Sequence, residues 1–112
     1  MSSEKSEAFL PGEDIVTQGL VDLAKGVLTE SALLVLVAGP RLRGLGIDVP
    51  ERSLDEPYEH ALYSLIEDRL STGAHSYYNS LLRRIVSYAH ALEREQSRLE
   101  REGGHTSRKT AV

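Results

Sequence analysis

The chain has 112 residues, no cysteine and a formal net charge of −4. That length allows one domain with its own core, and the lack of cysteine excludes a disulfide framework, a thiolate zinc site and a cysteine nucleophile. With 40% hydrophobic and 27% charged residues, wholesale disorder is excluded too.

In chain order, residues 1–11 read as a flexible N-terminal arm. They are polar apart from Phe9-Leu10 and lack the apolar core of an export signal. Pro11-Gly12-Glu13-Asp14 reads as a helix start, with acids where the helix dipole favours them. Ile15, Val16, Gly19, Leu20, Leu23 and Val27 then recur at three and four, the spacing of one buried helical face. Gly26 supplies a left-handed cap. Thr29 can cap a second segment, Glu30 to Ala38, whose run Leu33-Leu34-Val35-Leu36-Val37 suits either a buried strand or a helix apolar on all sides. Helix is the better reading, because the other extended candidate, Ile47-Asp48-Val49, is three residues long and closed by Pro50. Pro40 suits the first turn of a short helix through Leu45.

Residues 46–56 lack periodicity and read as a surface loop. Asp55-Glu56-Pro57 reads as the cap and first turn of the next helix, along which Tyr58, Ala61, Leu62, Leu65, Ile66 and Leu70 form an apolar stripe until Ser71-Thr72-Gly73 stops it. A long last helix is expected over residues 74–102, where Tyr78, Leu81, Leu82, Ile85, Tyr88, Ala89 and Leu92 repeat at three and four. Past Leu92 only Leu99 is apolar, so the end of this helix is expected to protrude, supported by pairs such as Glu95 with Arg98 and Arg98 with Glu102. Gly103-Gly104 is expected to break it, leaving residues 103–112 as a disordered basic tail. The whole is an all-α bundle of about four main helices plus one short turn, in a single domain over residues 12–102, and cytoplasmic.

Charge is uneven along this plan. Residues 1–82 hold 13 acids against 6 Lys/Arg and residues 83–112 hold 4 acids against 7, a balance of −7 followed by +3. This allows a basic patch at the C-terminal end and argues against a general nucleic-acid binder. The strongest constellation lies there: His75, Asn79, Arg83, Val86 and His90, spaced four, four, three and four, share one side of the last helix. Such a stripe, beside the apolar face and next to Tyr78, could hold an anion, an RNA phosphate or a partner carboxylate, or could simply be solvated.

Arg83 and His90 are two turns apart, so an arginine could hold a phosphate while the histidine moves a proton. The pair resembles the motif of HEPN-type ribonucleases, an arginine followed by four to six residues and a histidine. That resemblance implies a small all-helical dimer, a toxin paired with a nucleotidyltransferase-like antitoxin, with Arg83 and His90 catalytic. Arg84 supplies the polar residue favoured after the motif arginine, whereas Ala91-Leu92 replace the tyrosine that follows the histidine in some members.

Other chemistry is thinly represented. Glu56 and His60 are four apart and His75 and His90 could approach in the fold, but no compact metal-ligand motif is present, and neither metal nor cofactor is expected. Gly44-Leu45-Gly46 lacks the lysine and strand of a phosphate loop. The segment from Thr29 through Leu45 has the outline of a DNA-binding helix-turn-helix, with Arg41 and Arg43 as contacts and a second helix too short for recognition. The sequence therefore favours a non-catalytic regulatory or adaptor protein, one member of a two-gene system, that binds another protein or itself. Its expected interface is the seam Ile85, Leu92 and Leu99 at spacing seven, with the tyrosines clustered between Tyr58 and Tyr78. No membrane partner is expected, since the longest apolar run, Ala32 to Ala38, is far too short to span a bilayer.

Overall fold

The computed structural model describes the backbone of residues 10–111 and the side chains of residues 10–101. Among these residues there are five helices and no strand: α1 (Glu13–Ala24), α2 (Glu30–Val37), α3 (Gly39–Gly44), α4 (Tyr58–Arg69) and α5 (Ala74–Ala111). The fold is all-α, with four main helices and one short one. Most of the expected N-terminal arm lies outside the described residues. Its end, Leu10, joins the first cap, accepting from the Glu13 amide at 3.1 Å and donating its own N–H to the Glu13 carboxylate at 2.8 Å.

The apolar run at α2 is a helix, and the fold wraps round it. Ala32, Leu33, Leu34, Val35 and Leu36 are all at most 2% exposed, which needs cover on every side. α1, α4 and α5 each pack on α2, and α3 follows it directly. A strand here would leave its amide groups unpaired, whereas a helix satisfies them internally, so full enclosure favours the helix. Thr29 caps it as expected: its hydroxyl accepts from the Ala32 amide at 3.1 Å and donates to Asp22 at 2.6 Å. α1 lies close against α2 because Gly19 has no side chain; a Cβ there would stand 2.4 Å from the Ser31 carbonyl oxygen and 2.5 Å from a Val35 methyl. Gly26, at φ 78°, ends α1 in the left-handed conformation, which leaves Val27 outside the helix and 48% exposed rather than on its buried face.

Two expected boundaries are corrected. The start of α4 uses Pro57 as N-cap with no side-chain hydrogen bond, so Asp55 does not cap it. Tyr58 instead fixes the preceding loop, donating its hydroxyl to the Arg52 carbonyl. The second correction is the end of α5, whose backbone stays helical through Gly103-Gly104 to Ala111 rather than breaking there. A glycine weakens a helix by about 1 kcal/mol relative to alanine but does not forbid one. The basic tail is thus helical in backbone up to Ala111; its side chains, and the Arg98–Glu102 pair, lie outside the described residues.

α5 has 38 residues, about 57 Å at 1.5 Å per residue, and the molecule measures 57 × 34 × 25 Å. Its first half closes the core with Leu81, Ile85, Tyr88, Ala89 and Ala91. α3 then holds it through an Arg41–Glu93 ion pair at 3.1 Å and a hydrogen bond from the Gln96 amide to the Leu45 carbonyl at 2.6 Å. From Ser97 to Arg101 every side chain is exposed. No described helix is long and apolar enough to cross a membrane.

Candidate functional site

The stripe on α5 keeps its order but not its expected position. Burial of Ala89 and Ala91 beside Leu81, Ile85 and Tyr88 widens the inner face to about half the helix circumference. His75, Asn79, Arg83, Val86 and His90 therefore lie across the helix from the core rather than beside it. His75, Arg83 and His90 are exposed, Val86 is 48% exposed, and Asn79 is half-buried. Arg83 and His90 share this outward side without a hydrogen bond or ion pair to any described residue. Among the described residues no wall closes over them, so any enclosed cleft they form would need a further surface.

Tyr78 belongs to a different surface. Its ring meets Tyr63 of α4 edge-on at 5.3 Å, and Tyr63 also meets His75 at 6.4 Å. Burial, and then the nearby Glu59 carboxylate, raise the Tyr78 phenol above its ordinary value. Tyr77 lies under the Arg69 guanidinium at 5.0 Å, and Arg69 also grips Glu30 through two bonds of 2.8 and 3.0 Å. The clustered tyrosines thus pack α4 and α5 together and tie down a loop, with Tyr77 still 36% exposed. The expected seam divides similarly. Ile85 is 5% exposed inside the core, Leu92 is half-buried against it, and Leu99 alone of the three faces out, at 53%.

His75 and His90 cannot approach one another as expected, because fifteen residues of straight helix hold them about 22 Å apart. Glu56 and His60 do meet, at 3.1 Å, on an exposed turn. Among the described residues no three His, Asp or Glu side chains gather as a metal site would need. The two arginines of the helix-turn-helix outline are both engaged within the chain: Arg41 with Glu93, and Arg43 with the Val49 and Pro50 carbonyls at 2.8 and 3.4 Å.

Sequence reasoning missed the concave features. A cleft of about 670 Å³ opens between the end of α1, the start of α2 and the end of α4, over Leu28 and Leu65. Part of its polar rim is already bonded: Asp22 accepts from Thr29 at 2.6 Å and from Gln18 at 2.8 Å, and Glu30 holds Arg69. Those bonds, from Thr29 first and Gln18 second, keep the Asp22 carboxyl below its ordinary value. A second groove, of about 550 Å³, runs along α5 past His90, Glu93, Arg94, Ser97, Arg98 and Arg101. The stripe therefore extends further along the rod than its histidines suggest, a continuation legible in the three-and-four spacing.

Compared with known proteins, the chain matches no family model, no curated protein and no solved structure.

Proposed function

We propose that this chain is a non-catalytic regulatory or adaptor protein, one component of a two-gene system, that binds another protein or a second copy of itself through the far end of α5. The observation that carries this reading is the run beyond Gln96, where α5 continues with all described side chains exposed and Leu99 53% exposed. A helix with no core of its own to cover is only marginally stable alone, and a partner helix lying along Leu99 would supply the missing contact. Light scattering tests it directly. The expected result is a mass of two chains or of a complex, reverting to one chain in Leu99→Glu; a monomer that co-purifies with nothing would sink the reading.

A second reading rests on Arg83 and His90, which stand two turns apart on one exposed side with no described partner. In a HEPN-like ribonuclease a dimer would bring two such pairs into one cleft. Expression would then be toxic and His90→Ala would relieve the toxicity. Unchanged toxicity in that variant removes this alternative.

A further inference from the structure

The described arginines fall into two groups. Arg41, Arg69, Arg84 and Arg98 each meet a carboxylate, with Glu93, Glu30, Asp14 and Glu95 at 3.1, 2.8, 3.6 and 2.6 Å. Arg43 is held by loop carbonyls. Arg83, Arg94 and Arg101 are exposed and have no partner among the described residues. Arg52 is also without a side-chain partner, but it sits apart on the 46–57 loop.

The three on α5 are eleven and seven residues apart, about three and two helical turns, so their guanidiniums fall on one line with rises of about 16.5 and 10.5 Å. Ser87, His90 and Ser97 lie along the same side. Of the described carboxylates on this helix, Glu93 is paired with Arg41 and Glu95 with Arg98, and Glu93 also borders the groove that holds His90, Arg94, Ser97 and Arg101. Three arginines in a row, none paired with a described carboxylate, repel one another and concentrate positive potential on one edge of an otherwise acidic protein.

We propose that the outward face of α5 binds the phosphate backbone of a nucleic acid, held by Arg83, Arg94 and Arg101 with Ser87, His90 and Ser97 as hydrogen-bonding groups between them. Guanidinium forks match phosphate oxygens two at a time. Hydroxyl and other polar side chains are the usual additional phosphate contacts, and such contacts carry no sequence information, so binding is indifferent to base order. An acidic protein surface fits this face less well. Interface cores are depleted in charge, and this row offers one exposed apolar side chain, Val86, at 48%. Nucleic-acid interfaces are polar, positive and wet. This proposal stands independently of the protein-interaction reading.

The test is fluorescence anisotropy of the full chain with labelled mixed-sequence RNA, single-stranded DNA and duplex DNA, read from about 50 to 200 mM salt. Three phosphate contacts predict that affinity falls about 40-fold for duplex and about 20-fold for single strands over that range. The labelled strand is recovered intact. Each single alanine variant at Arg83, Arg94 or Arg101 lowers the duplex salt slope by about 0.9, the triple variant flattens it, and Lys25→Ala changes nothing. Circular dichroism checks that each variant keeps its helix. The three arms show which strand the chain prefers. The proposal is overturned if none binds in a salt-dependent way, if single variants with intact helicity keep the original slope, or if polyglutamate binds as tightly as the nucleic acids, which would assign the face to an acidic protein.

Discussion

The two ends of this molecule obey different physics. Around α2 every side chain from Ala32 to Leu36 is sealed from water, and the stability of that region is a matter of packed volume. At the far end of α5, from Ser97 to Arg101, nothing described is sealed, and what matters is charge, screening and whatever docks there. The core accounts for α5 as far as Leu92 and contacts with α3 as far as Gln96, and neither accounts for the exposed run from Ser97 to Arg101.

Substitutions at the two ends should therefore differ sharply. Leu34→Ala removes a side chain with no exposure and is expected to cost about 2–5 kcal/mol in denaturant unfolding, whereas Leu99→Ala in the monomer should stay within about 0.5 kcal/mol. Equal effects at both positions would erase the distinction between the two regions. Gly19→Ala probes how tightly α1 is seated. Its methyl would overlap the Ser31 carbonyl and Val35, so a loss of about 1–3 kcal/mol is expected, less what alanine returns as a better helix former. A raised melting temperature would mean that α1 can move away freely.

Thr29→Ala should cost about 1 kcal/mol, because it removes the acceptor for the Ala32 amide. It also alters the acid response. The Asp22 carboxyl is held below its ordinary 3.8 by Thr29 first and Gln18 second, so its contribution is present above that value and is lost as pH falls through the folded-state value. In the variant this acid-side decline becomes shallower, which unfolding curves between neutral pH and about pH 2 would register. Tyr88 gives the opposite sign. Burial, then the Glu13 carboxylate, raise its phenol above 10.0, so its contribution is complete below that value and fades as pH climbs through the folded-state value. Tyr88→Phe should remove this alkaline decline; an unchanged alkaline profile would show that the Tyr88 phenol is not what drives it.

Much of the body was legible in the residues. Thr29 and Gly26 mark their boundaries by local chemistry, and the all-round apolar run of α2 resolves to helix once no partner strand exists among the described residues. What local pattern could not supply was pairing at a distance. Arg41 looks like a free cation until Glu93, 52 positions later, is placed beside it. Tyr63 and Tyr78, fifteen positions apart, meet only once α4 and α5 are packed together. Gly103-Gly104 misled in the other direction, since a turn-forming pair still adopts helical geometry inside a long regular segment. The stripe on α5 was visible in the three-and-four spacing, but which of its arginines lack carboxylates depends on the assembled fold.

Enclosing α2 also has a kinetic side. The segment that must be covered is made early, at residues 30–37, while Leu81, Ile85 and Tyr88, which cover it, follow some fifty positions later. Contacts between such remote parts of a chain form only after a large loop has closed, so a nascent chain carries this greasy segment uncovered until α5 emerges. Once the core has formed, the amide protons of Leu33 to Leu36 can reach solvent only when the whole bundle opens, and deuterium uptake there should report global stability.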